Sequence, residues 1–263
     1  MALTGKTPKD TYKDLLEIDN SNSGVDSTVR DVKTGNGAST SLKVSDRSCI
    51  VTSATDNTGA FYVQDSSDSI KFQVDTTNDQ VKALGTHVNT MYAHFGIGAT
   101  DGSNFVADKH YPLPFFAITN GSVLQQDDID FGSGTEPATS FTTADGTNTD
   151  ASLLVPVMWY VPDNISIDAV YSLEGLEASS TITTRMHLYS YTFTSGSTSA
   201  LADGTLLAHN DDVTNAGSEQ AYLSTWTVDS ASVSAGKAIL AFFRMDTSAD
   251  DPSVSITIKY HLT

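Results

Sequence analysis

The chain has 263 residues, 39% of them hydrophobic and only 17% charged, and a formal net charge of −18. That length is ample for one large core or two modest ones. The polyanionic balance argues against nucleic-acid and anionic-membrane binding, because phosphate backbones and headgroups repel it. No run approaches the roughly 20 apolar residues that span a bilayer. Residues 1–10 lack the basic and apolar regions of an export signal, so the expectation is a protein made in the cytoplasm without membrane insertion. Cys49 is the sole cysteine. No intrachain disulfide can form, packing must supply stability, and a buried, inert thiol is expected.

In chain order, residues 1–24 open with a predicted short helix. Thr7 suits the cap, Pro8 the first helical position, and Asp10 sits where an acidic side chain reaches back. Tyr12, Leu15, Leu16 and Ile18 then form a narrow apolar stripe at helical spacing. So short a helix is unstable alone. The stripe either packs on its own chain or docks on a partner subunit, and docking is expected because no large domain lies nearby in the sequence. Residues 25–55 look extended, with Val29 and Val32, a Gly35-Asn36-Gly37 turn, then Leu42, Val44 and Ile50 among serines and threonines.

Lys9, Tyr12, Leu15 and Leu16, followed by Gly35, Gly37, Ser39, Ser41, Leu42, Val44 and Ser45, form a helix-then-turn-strand pattern. It resembles the N-terminal segment of many tailed-bacteriophage appendage proteins. Thr34 stands where that pattern often has Asp. The resemblance covers about the first fifth of the chain. It implies a virion fibre or spike, usually a homotrimer, whose N-terminus attaches to the particle; the attachment residues would be Tyr12, Leu15, Leu16 and Ile18.

Residues 61–84 alternate apolar and polar positions: Phe61 and Val63, then Ile70, Phe72 and Val74, then Val81 and Ala83. The polar runs 65–69 and 75–79 separate them and mark reversals. Two aligned units of strand plus turn suggest an internal repeat, too small to bury its own apolar face. Copies of the same chain would supply the cover. A fibrous β shaft wound from three chains is therefore expected, with Phe61, Val63, Ile70, Phe72, Val74 and Val81 at the interface. Residues 85–102 read as a neck that plugs a threefold axis or as an ordinary linker packed on one domain.

In the C-terminal half, strand-like runs recur at 111–118, 153–161, 165–173, 182–193, 221–228, 238–245 and 254–262, with polar loops at 133–149 and 196–204 between them. The last run alternates strictly, Val254, Ile256, Ile258, Tyr260 and Leu262 on one face and Ser255, Thr257, Lys259 and His261 on the other. Seven or eight such strands predict a β-sandwich of jelly-roll type. The ending 233–246 also resembles the jelly-roll knobs of phage fibre and decoration proteins. Tyr189, Tyr191 and Phe193 lie opposite Met186 and Leu188, so one face of that strand needs cover from outside the sheet, such as a neighbouring subunit.

Candidate chemistry is sparse. The acidic groups at 127–130 and 250–251 read as solvated loops, with paired carboxylates for glycoside hydrolysis or oxygen ligands for calcium as the alternatives. The six histidines lack metal-binding spacing, although a threefold axis could gather His87 or His94 from three chains. No GxSxG elbow or phosphate loop is present. Trp159, Trp226, Tyr160, Tyr171, Tyr189, Tyr191 and Tyr222 read as core or interface packing, with sugar stacking the alternative.

The sequence thus predicts an all-β, elongated chain. Residues 1–55 would form an N-terminal short helix and extended anchor, 56–102 an intertwined trimeric β shaft and neck, and 103–263 a jelly-roll-type sandwich knob. The expected role is non-enzymatic and structural, in a virion. The partners would be two further copies, other virion proteins of tail or capsid, and a host-surface glycan or protein. No cofactor is expected; calcium is an alternative that the sequence does not support. A capsid decoration or head-fibre protein is the alternative, and a polysaccharide-degrading enzyme a remote one.

Overall fold

The computed structural model describes residues 15–21, 23–98, 105–115, 129–141, 151–177, 181–196, 201–217, 219–247 and 251–263. The all-β class expected from the alternation is what forms: several antiparallel sheets, with one 3-10 segment, Ala151–Val157, as the only described helix. No described helix is long and apolar enough to cross a membrane. The chain divides into two compact units, Met1–Val88 and Asn89–Thr263.

The first unit holds two four-stranded sheets in sequence order. One comprises β1 (Leu16–Ile18), β2 (Arg30–Thr34), β3 (Ser39–Val44) and β4 (Cys49–Val51); the other comprises β5 (Phe61–Gln64), β6 (Ile70–Asp75), β7 (Gln80–Ala83) and β8 (Thr86–His87). The helical stripe expected through Leu15, Leu16 and Ile18 is corrected here. Leu16–Ile18 is a strand, with Leu16 opposite Thr34 and Ile18 opposite Val32. A segment of this length gains little as an isolated helix, whereas β2 offers it a ladder of backbone hydrogen bonds. Tyr12 and the expected cap at Thr7 lie outside the described residues. Cys49 is exposed, not buried, because β4 is an edge strand whose three residues all face solvent.

The second unit contains β9 (Thr90–Ile97), β10 (Tyr111–Pro112), β11 (Trp159–Tyr160), β12 (Ile165–Glu177), β13 (Thr181–Phe193), β14 (Leu201–His209), β15 (Val213–Ala216), β16 (Gln220–Thr225), β17 (Thr227–Val228), β18 (Ser232–Val233), β19 (Lys237–Met245) and β20 (Asp251–Leu262). One sheet runs β16-β12-β20-β9 with β18 beside β12. The other runs β10-β19-β13-β14-β17, with β11 beside β19 and β15 beside β13. Their facing side chains meet in one core: Phe95, Ile167, Val170, Ile256 and Ile258 from the first, and Ile182, Met186, Leu188, Ile239, Ala241 and Phe243 from the second. Thr90–Ile97, expected within the neck, is a full strand of this unit, paired with β20 from Thr90 opposite His261 to Ile97 opposite Val254.

A second apolar layer covers the far face of β13 and β19. Tyr189, Tyr191, Leu240 and Phe242 pack against Ile129, Phe131, Phe141, Leu154 and Val157. The face carrying Tyr189 and Tyr191, for which a neighbouring subunit was a candidate cover, is thus covered by its own chain. The run 153–161, expected as one strand, is mostly the 3-10 segment that helps form this lid. Pro156, inside it, has no N–H to give a ladder.

Gly204 makes room for the lid. Leu201–His209 pairs with β13 through a register shift between Ser190 and Thr192, and Asp203 beside it has φ 52°. The Gly204 N–H donates to the Thr139 carbonyl at 2.7 Å, and the Tyr191 hydroxyl donates to the Ala138 carbonyl at 2.8 Å. A Cβ at Gly204 would sit 2.7 Å from the Tyr191 ring and 2.8 Å from the Thr139 Cα. Gly204→Ala is therefore expected to destabilise the second unit by about 1–3 kcal/mol, the usual cost of overpacking, seen as a lower urea midpoint. Tryptophan fluorescence is the suitable probe, since both tryptophans of the chain, Trp159 and Trp226, are buried in that unit.

Candidate functional site: the apolar face of residues 61–88

Two matched turns set the register of this sheet. In the first, Asp65 Oδ1 accepts the N–H groups of Ser67 and Ser69, and Asp68 takes a left-handed φ of 61°. In the second, Asp75 Oδ1 accepts those of Thr77 and Asn78, and Asp79 takes φ 53°. An aspartate that caps its own turn and a short polar residue that tolerates positive φ are the means by which such runs reverse a chain. Both capping carboxyls are held below the usual range, Asp65 chiefly by its bond from Lys71 and Asp75 chiefly by its bond from Asn78.

With the turns fixed, alternation sorts the side chains. Phe61 lies opposite Val74 and Val74 opposite Val81; Val63 lies opposite Phe72 and Phe72 opposite Ala83. Ile70 lies opposite Gln64, beyond a register shift that breaks the alternation between it and Phe72. Five of the six residues expected at the shaft interface, Phe61, Val63, Phe72, Val74 and Val81, therefore fall on one face, and Ile70 does not pair within it. Gln73 and Lys82 occupy the other. The rings of Phe61 and Phe72 meet edge to face with centroids 6.3 Å apart, so the face is internally packed yet open. Phe61, Val63 and Ile70 remain 41%, 47% and 41% exposed, and Phe72, Val74 and Val81 are half-buried.

Leu84 is a further exposed apolar residue of this sheet and was not picked out from sequence. It forms with Gly85 the two-residue turn between β7 and β8, at φ 52° and 79°, and is 76% exposed. Asn-Gly or Asp-Gly suits such a turn; leucine there is strained as well as exposed. The cue was a Leu-Gly pair between two short alternating runs. Leu15 and Leu16 of the other sheet are also exposed, and Ile18 is half-buried.

The second unit carries the strongest electrostatic perturbations, and they lie in its interior. His110 and His187 are fully buried with ring centroids 5.1 Å apart. One ring nitrogen of His110 meets the Gly134 carbonyl at 3.0 Å; its Nδ1 and both nitrogens of His187 lack hydrogen-bond partners among the described residues. His187 Nε2 lies 3.3 Å from a Glu136 carboxylate oxygen, without hydrogen-bond alignment, while that oxygen accepts from the Tyr189 hydroxyl at 2.9 Å. Desolvation, reinforced by Arg185 and Arg244, pushes His110 down to about 4 and His187 to about 3. Glu174 is buried with one oxygen accepting from Thr184 Oγ1 at 2.7 Å and the other unpartnered among the described residues, and burial raises it to about 7. The two histidines are neutral in the folded protein at neutral pH and Glu174 is there about half protonated; all three are buried and act on stability.

Of the other residues singled out from sequence, Trp159, Trp226, Tyr189 and Tyr191 are buried, whereas Tyr160 and Tyr171 are exposed. His94 is exposed, its Nδ1 3.2 Å from the Thr257 hydroxyl. Asp127, Asp128 and Asp250 lie outside the described residues. No protein-family model matches the chain, and no curated protein matches it.

Proposed function

We propose that this chain is a non-enzymatic structural protein of a tailed-bacteriophage virion, a homotrimeric fibre or spike. Residues 1–55 attach it to the particle, the β5–β8 sheets of three copies associate into a shaft, and the C-terminal unit is a knob that meets the host surface. Three weak knob contacts held on one stalk raise effective affinity without new chemistry. The observation that carries the reading is the face of Phe61 and Val63, which a single chain leaves open to water. Burying apolar surface is worth about 25 cal/mol per Å², so such a face favours self-association.

The knob is read as jelly-roll-type because its long strands nest. β12 pairs with β20 in one sheet while their sequence neighbours β13 and β19 pair in the other, the arrangement of a hairpin folded over into two layers. The resemblance of residues 9–45 to phage appendage N-termini supplies the link to the virion. Antibody–gold labelling of purified particles is the test. Label on projecting appendages is expected; label spread over the shell would replace the fibre with a capsid decoration protein, and unlabelled particles would overturn both.

A further inference from the structure

The outer face of the β16-β12-β20-β9 sheet has features of a second contact between copies. Leu173 and Leu223 lie directly opposite each other on β12 and β16, and they are 57% and 72% exposed. The same row continues through Ser255 to Gly96, and the next row runs through Tyr171 and Thr257. Leu173 and Tyr171 alternate with the buried Glu174 and Ser172, so the outward direction is unambiguous. Neither row carries a carboxylate, and the nearest charge on the adjoining row is Lys259, in a chain whose net charge is −18.

We infer that this face packs against the corresponding units of the other two copies, a reading that rests on the trimer proposed above. Charge selects the occupant. Polyanionic copies repel one another over most of their surface, and approach is least costly where acidic groups are missing and apolar ones are present. Area sets how strong the contact is. Four strands at about 4.8 Å spacing, over about six residues, give about 400 Å² per copy, half of the roughly 800 Å² per partner typical of a self-sufficient interface. The face is too small to assemble free chains, but it is adequate for chains already joined. Only Val88 and Asn89 separate β8 from β9, a strand of this same sheet, so a trimeric shaft would tether the three faces at high effective concentration.

Hydroxyl-radical footprinting of the intact chain tests this, with Val155 of the same unit, 66% exposed on the single chain, as internal control. Labelling of Leu173 and Leu223 is expected to fall several-fold relative to Val155, and to recover in the double variant Leu173→Glu/Leu223→Glu at Tyr171. A trimeric mass with Leu173 and Leu223 labelled as freely as Val155 would overturn the inference and leave the shaft standing. A monomeric mass would remove both.

Discussion

Acidification is expected to weaken the C-terminal unit well above the range in which surface carboxylates titrate. His110 and His187 have ordinary values of 6.5 in the unfolded chain and about 4 and about 3 when folded. Below pH 6.5 the unfolded chain takes up protons that the folded one refuses, so stability is lost as pH falls. Glu174 acts in the opposite sense. Its folded value of about 7 exceeds its ordinary 4.5, so it stabilises at low pH and that contribution is lost as pH rises toward 7. Between pH 6.5 and 4.5 two histidines outweigh one glutamate, for a net loss of about 2 kcal/mol at 1.36 kcal/mol per unit. Above pH 6.5 the curve is nearly flat.

The opposition makes the prediction specific. Glu174→Gln removes the compensating group and is expected to steepen the loss over the same interval to about 4 kcal/mol. His187→Gln removes half of the driving force and leaves little pH dependence there. Urea melts followed by tryptophan fluorescence at several pH values measure this, since Trp159 and Trp226 report on this unit alone. A wild-type midpoint that does not move between pH 6.5 and 4.5, with Glu174→Gln equally insensitive, would show that the two rings are not sealed from water.

Charge placed on the shaft face is expected to take the assembly apart. Val63→Asp/Phe72→Asp puts two carboxylates per copy where three apolar faces would meet, and burying an unpaired charge costs several kcal/mol each. Per trimer that is six such groups, more than a marginal interface can offset, so the variant should run as a monomer at micromolar concentration. Lys82→Glu adds negative charge on the opposite face of the same sheet and should leave the mass unchanged. Equal dissociation by both variants would point to general charge repulsion, and no dissociation by either would rule this face out. Leu84→Asn relieves the left-handed strain at the β7–β8 turn and is expected to stabilise the free sheet by about 0.5–1 kcal/mol.

What the sequence made legible was whatever repeats at period two with clear punctuation. β13, β20 and the residues 61–83, Ile70 excepted, sort onto the faces their alternation predicts, and the aspartate-led turns fall where polar clusters interrupt it. Where apolar residues fall on exposed as well as buried positions, the alternation fades. Thr90–Ile97 turns Ala93 and Phe95 into the core but leaves Met91 and Tyr92 exposed, so it read as a neck. Leu201–His209 was hidden within and beyond an expected loop, because Asp203-Gly204 is turn chemistry used here as a bulge. The layer over Tyr189 and Tyr191 draws on Ile129, Phe131 and Phe141, single apolar residues in polar surroundings whose spacing carries no period. His110 and His187 are 77 positions apart by number, and only the pairing of β10 and β13 with β19 brings them together.

The most direct measurement is the mass of the purified chain in solution by sedimentation equilibrium over a wide concentration range. Three chains of 27.9 kDa, held together down to the lowest concentration observed, are the predicted result, since the apolar face of Phe61, Val63 and Phe72 would then be buried between copies. A single 27.9 kDa species at every concentration, with that face still open to solvent labelling, would contradict it.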